Sequence, residues 1–188
     1  MRRLLKKMFI VFSKIVLPMF FDKKYLRGRW FENSVKGWIW AWRSVWFQKI
    51  LGFNRNVPWP VSHQIVVNRA EDIVFDVNDL NNFQRFGNYF QAGYGKIIIG
   101  KGTLIAPNVG IITGNHNPCN LEKHLPGKDV IIGEKCWIGM NAVILPGVVL
   151  GPRTIVGAGS VVTKSFPEGY CIIAGNPAEV IKKLDCKD

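Results

Sequence analysis

Histidine is scarce in this chain of 188 residues, with only His63, His116 and His124 present. Cysteine is nearly as scarce. Cys119, Cys136, Cys171 and Cys186 include no C-x-x-C pair and no ligand spacing, so no structural zinc site is spelled out and metal ligands are not expected. The cysteine usage reads as that of a reducing compartment, with Cys136 a small buried apolar residue. An uninterrupted apolar run is missing too. The stretch Met8 to Phe21 is broken by Lys14 and Pro18, short of the roughly twenty apolar residues a spanning helix needs. Asp22-Lys23-Lys24 follows it in place of a small-x-small cleavage site, which reads against a secretory signal peptide. Acidic residues are almost absent from the first third: residues 1–60 hold thirteen Lys/Arg against two Asp/Glu, a balance of +11 in a chain of net charge +12. No nucleic-acid-binding motif accompanies that charge, so a nucleic-acid partner is not expected.

Six of the seven tryptophans share the same basic third, and segregated charge and aromatics point to a surface partner for that segment. Arg2, Arg3, Lys6 and Lys7 precede the apolar run, a pattern that fits an amphipathic helix lying in a membrane interface or, alternatively, one docked on its own domain. Farther on, Val35, Trp38, Ile39, Trp42, Val45 and Trp46 recur at helical spacing, with Lys36, Arg43 and Lys49 off the stripe. That stripe suits a headgroup region, where indole presents an apolar body and a polar edge, and equally suits packing against protein. Residues 1–60 are thus expected to be a helical, membrane-associating segment, acting through 1–50 on an anionic surface, with Pro58-Trp59-Pro60 in the connector.

A six-residue spacing organises the rest. Ile99, Ile105 and Ile111 are six apart, and so, after an interruption, are Ile132, Ile138, Ile144, Leu150, Val156 and Val162. Gly100, Ala106, Gly133, Gly139, Gly151 and Gly157 follow their aliphatics, and Thr103, Val109, Cys136, Ala142, Val148, Thr154 and Ser160 stand four residues after theirs. A fixed short period is the mark of a solenoid. Six residues make one short strand and one bend, and three hexads close a triangular coil. The expected fold is an all-β solenoid, a left-handed parallel β-helix over 61–176, with an α-helical N-terminal segment and a short C-terminal helix over 177–188 as cap. Ile111 to Ile132 is 21 residues, one coil plus three, so chain must be extruded, over 114–129. Loops leaving a rigid scaffold are where sites concentrate.

Over about residues 85–184 the sequence resembles the hexapeptide-repeat acyltransferases. The resemblance is densest in Cys136-Trp137-Ile138-Gly139, Ile144-Leu145-Pro146-Gly147-Val148, Val156 to Lys164 and Ala174-Gly175-Asn176-Pro177-Ala178. It implies an acetyl-CoA-dependent transferase, assembled as a homotrimer with sites between subunits. A base near neutral pH is needed to take the acceptor hydroxyl's proton, and histidine has the right unperturbed pKa. The family carries its catalytic histidine at the start of an extruded loop after a Thr-Gly strand end, where Asn115-His116 stands; this makes His116 the expected base and Asn115 an expected acceptor contact. His124 is the rival base, read as loop surface. Either Glu122 or a backbone carbonyl would orient the imidazole, and the Met140 amide is a candidate oxyanion donor.

By the same resemblance, Met140, Ala158, Thr163, Lys164 and Lys182 are the expected coenzyme A contacts. Glu179 stands where some relatives carry a basic residue, leaving Lys182 or Lys183 to meet the phosphates. Trp137 packs along the same channel or simply within the coil. Asn88 is a candidate acceptor contact in the poorly patterned stretch Phe83 to Tyr94. The reading is an O-acetyltransferase acting on a sugar hydroxyl in surface-polysaccharide or glycolipid assembly, cytoplasmic and peripheral on the inner face of the cell membrane. An N-acetyltransferase of a nucleotide-linked amino sugar is the alternative within the family, and a non-catalytic membrane-associated scaffold is the alternative outside it. Carbonic anhydrases of the gamma type share the β-helix, but the spacing of the three histidines does not match theirs.

Overall fold

The computed structural model describes residues 2–185; Cys186, and the end of the segment expected as a C-terminal helix, lie outside the described residues. The chain divides into two compact units, Met1–His63 and Gln64–Asp188.

In the second unit, Ile97–Ile99, Leu104–Ile105 and Gly110–Ile112 fall in three different sheets, each pairing in parallel with its coil neighbours. After the loop, Val130–Ile132, Trp137–Ile138 and Val143–Ile144 return to the same three sheets in the same order, followed by Val149–Leu150, Ile155–Val156 and Val161–Val162. A chain that visits three sheets in rotation winds as a three-sided stack. Register gives the coil length directly. Ile138 pairs with Val156 and Ile144 with Val162, each 18 residues apart. Ile105 pairs with Ile138 and Ile111 with Ile144, each 33 apart, so the loop adds fifteen residues to one coil. This corrects the count of one coil plus three: the 21-residue step is a hexad carrying a fifteen-residue excursion, and no coil is completed inside it.

All nine hexad aliphatics are buried, as are all seven of the small residues set four positions later. Small residues beside the aliphatics are required by the spacing of coils. A Cβ on Gly139 would come within 2.6 Å of the Ala158 nitrogen, and one on Gly133 within 2.7 Å of the Pro152 nitrogen. The first coils are irregular. Ile73 pairs with Ile97, 24 residues on, and Phe90 with Ile111, 21 on, the surplus being taken up in turns such as the 3-10 stretch Val77–Gln84.

The expected C-terminal helix is instead a strand. Ala178–Lys183 runs antiparallel to Cys171–Gly175, with Gly175 opposite Ala178 and Ala174 opposite Glu179. Asn176-Pro177 forms a turn rather than a helix start, and β-branched Val180 and Ile181 favour extended chain. The returning strand satisfies the backbone groups that Cys171–Gly175 would otherwise present as a bare edge.

In the first unit, helix α1 spans Arg2–Val16 and helix α2 spans Lys36–Ser44, continued by a π-helical turn over Val45–Ile50. Trp38 and Val45 of the expected stripe are buried within this unit, with the Trp38 indole N–H donating to the Phe31 carbonyl at 3.0 Å. Trp42 stacks on Phe12 and donates to Ser13 Oγ at 2.9 Å. The stripe is therefore chiefly internal packing, and only Ile39 and Trp46 keep an exposed face. Helix α1 does the opposite. Leu4, Leu5, Met8, Val11, Phe12 and Ile15 fall along one side of a 3.6-residue helix, and all six are exposed. Among the described residues no helix is long and apolar enough to cross a membrane.

Candidate active site

Thr113 ends the coil before the excursion, its Oγ1 donating to the Gln91 carbonyl at 2.8 Å. The chain then forms a hairpin in which His116–Asn117 pairs antiparallel with Asn120–His124, with His116 directly opposite His124. The Leu125 N–H donates to the Asn115 carbonyl at 2.9 Å, and the Lys128 N–H to the Thr113 carbonyl at 2.9 Å, which ties the outgoing and returning arms together. His116 is exposed at the start of a fastened hairpin.

His116 Nδ1 lies 2.7 Å from the Leu121 carbonyl oxygen. A carbonyl only accepts, so Nδ1 carries the proton and the lone pair sits on Nε2, the form a general base requires. The orienting group is therefore this carbonyl and not the Glu122 carboxylate. A backbone acceptor fixes the tautomer without placing a formal charge beside the ring. Next to His116 stands His124, with ring centroids 4.3 Å apart, and His124 in turn stacks on Tyr94 at 4.6 Å. The Tyr94 contact is not legible from loop sequence, since Tyr94 lies thirty residues earlier.

Asn115 is exposed and lines a depression of about 280 Å³ with Leu125, Pro126, Lys128 and Pro146. Asn88 must be corrected. It is 1% exposed, its Oδ1 accepting from the Val109 N–H at 3.1 Å, so it is a structural asparagine inside the coil and does not face an acceptor. Strand parity carried that signal: Asn88 shares the face of Phe90, which is buried.

The expected coenzyme positions are all exposed: Met140, Ala158, Thr163, Lys164 and Lys182. Met140 and Ala158 stand on stacked coils, where the Gly159 N–H donates to the Met140 carbonyl at 2.8 Å. Gly159 has φ +70° and nothing within 4 Å of where a Cβ would lie, so this corner is bare backbone open to a ligand. Trp137 is 54% exposed on the same stack, paired with Leu104 and Ile155, so it does not fill the coil. Lys164 Nζ lies 2.7 Å from both carboxylate oxygens of Glu179, so the residue that departs from the family pattern holds one of the expected coenzyme contacts. Within one chain, the described side-chain partners of His116 are Leu121 and His124, and no coenzyme position is among them.

Residues 129–164 match the family model described as Bacterial transferase hexapeptide (six repeats). Galactoside O-acetyltransferase of Escherichia coli is 38% identical over 95 residues, covering 49% of this chain and 46% of that protein. Among solved structures, a maltose O-acetyltransferase from Clostridium difficile superposes with a TM-score of 0.54 at 32% identity, over 64% of each chain. A galactoside acetyltransferase in complex with coenzyme A gives a TM-score of 0.57 at 29% identity, over 68% of this chain and 62% of the other. Residues 129–164 are thus hexapeptide repeats, and the chain is similar to galactoside and maltose O-acetyltransferases. It spans about half the length of the curated relatives it matches.

Proposed function

We propose that the chain is an acetyl-CoA-dependent O-acetyltransferase acting on a sugar hydroxyl, with His116 as general base. The observation that carries this reading is the His116–Leu121 contact of 2.7 Å, which leaves Nε2 as proton acceptor on an exposed hairpin of a hexapeptide-repeat scaffold. The acceptor hydroxyl gives its proton to Nε2 as its oxygen attacks the thioester carbonyl. The C–O bond forms, the tetrahedral oxyanion is met by a backbone N–H such as that of Met140, and the C–S bond breaks. The departing thiolate takes the proton back from the imidazolium, giving coenzyme A and the acetyl ester. No acyl-enzyme is required.

The three-sided stack is read as the left-handed parallel β-helix of this family, assembled as a homotrimer. Intersubunit sites would account for the absence of Met140, Ala158, Thr163, Lys164 and Lys182 from the described partners of His116 within one chain. Acetyl-CoA binding is supported by the coenzyme A named for one solved neighbour and by the exposed Ala158-Gly159 corner. Asn115, in the depression beside the hairpin, is the acceptor contact. The basic N-terminal unit, with six exposed apolar residues on α1, supports peripheral attachment to the anionic inner face of a membrane and a lipid-linked glycan or surface polysaccharide as acceptor. Mass spectrometry of envelope glycans from cells making the wild-type chain is expected to show added O-acetyl groups that disappear with His116→Ala; identical glycans in both would overturn the reading.

A further inference from the structure

Tyr94 occupies an unusual seat. The extruded hairpin leaves the coil at Gly114 and re-enters near Gly127, and both glycines give way to this one tyrosine. A Cβ on Gly114 would lie 2.5 Å from the Tyr94 ring, and one on Gly127 would collide with the Tyr94 carbonyl. Neither glycine has a left-handed φ, so their bareness serves close approach and not chain conformation. Tyr94 is thus wedged between the two roots of the loop, on the coil side, while its ring extends outward to His124.

From that seat a column rises. The Tyr94 hydroxyl and His124 Nε2 share a hydrogen bond of 2.8 Å, and the two rings lie 26° from parallel. His124 then meets His116 at 4.3 Å between centroids, and the two histidines are directly opposite each other in the hairpin register. Cross-strand partners share a face, so pairing alone brings these rings together. Leu121 fixes His116 at one atom, Nδ1, which leaves the ring able to swing about that bond. A flat partner beside it removes that freedom. A base gains from being held, since a displacement of about 1 Å costs on the order of 100-fold in rate.

We propose that Tyr94 and His124 are positioning residues for His116: Tyr94 seats His124, and His124 packs, tilted by 37°, against the His116 imidazole and keeps its Nδ1–H on the Leu121 carbonyl. The proposal rests on the assignment of His116 as the base. It also gives His124 a role other than the two weighed from sequence, rival base or plain loop surface.

The test is tautomer-resolved nitrogen NMR of the full chain, whose three histidines make assignment by single substitution practical, together with thiol release from acetyl-CoA using water as the acceptor. Wild type is expected to show His116 held in the Nδ1–H form. His124→Ala is expected to release it into a mixture of tautomers and to lower kcat roughly 10- to 100-fold with KM for acetyl-CoA unchanged. His124→Phe, which keeps a ring but no nitrogen, is expected to restore most of both. Tyr94→Phe keeps the wedge and loses only the hydrogen bond, so it is expected to fall between wild type and His124→Ala. His116 tautomer and kcat unchanged in His124→Ala would overturn the proposal. Because the tautomer reads geometry alone, that result is separate from the fate of the base: undiminished thiol release in His116→Ala would overturn the catalytic assignment and leave the tautomer result standing.

Discussion

Ile138 and Ile15 are the same side chain placed to opposite ends. Ile138 is 0% exposed at the inner corner of a coil, and Ile15 is 70% exposed on α1. In the repeat unit a period of six sends each aliphatic inward onto its neighbours in adjacent coils. In α1 a period of 3.6 gathers six large apolar side chains on one side; Phe12 meets the ring of Trp42, and all six stay more than half exposed while the basic residues lie around them. Buried apolar surface stabilises at about 25 cal/mol per Å², so the first pattern accounts for a fold. The second contributes little to folding and is explained only by something that covers it. The two units also differ in charge: nearly all of the net positive charge lies where the uncovered apolar face is. Apolar content alone therefore says little; the period, and what the period faces, separates the buried face from the exposed one.

Substitution should sharpen that contrast. Ile144→Ala, at a buried position, is expected to cost about 2–5 kcal/mol, whereas Ile15→Ala is expected to stay within about 0.5 kcal/mol, both read from denaturant unfolding of the full chain. Equal losses would dissolve the comparison. Gly139→Ala, whose methyl would press on the backbone of the next coil, is expected to destabilise by about 1–3 kcal/mol.

On the other side of the contrast, Leu4→Ser with Leu5→Ser and Met8→Ser is expected to leave unfolding unchanged and to abolish sedimentation with vesicles containing anionic phosphatidylglycerol. Retained sedimentation would refute lipid as the cover of α1. The smallest effect concerns thiols. Burial pushes the Cys136 thiol above its ordinary value, while Cys119 is exposed on the hairpin. At mildly alkaline pH iodoacetamide is expected to modify Cys119 and to spare Cys136. Cys136 is protonated and inert below its raised folded pKa, and the stability that goes with the buried neutral thiol is present in full below the ordinary thiol pKa and lost as pH rises from there through the raised value.

The scaffold was legible in residues 99–162 because a solenoid repeats its local environment: what holds for Ile138 holds for its equivalents one coil away, and all nine aliphatics are inside. The break at Ile111 was equally legible, and with it an extruded loop carrying His116, though not the hairpin it forms. Contacts between segments distant in sequence were not. The strand Ala178–Lys183 depends on an available edge at Cys171–Gly175, which local propensity does not reveal, so the capping residues read as helix. The internal place of Asn88 depends on the parity of a short strand in an irregular coil. The column from Tyr94 to His116 rests on the contact between Tyr94 and His124, thirty residues apart, and its one local trace is a glycine at each root of the loop.

The central claim is that the interruption carries the chemistry and the repeat carries the frame. The most direct test is thiol release from acetyl-CoA by the purified full chain, comparing wild type with His116→Ala at unchanged unfolding midpoint. The account predicts a fall of at least about 100-fold in kcat for His116→Ala. Turnover undiminished by that substitution would contradict it.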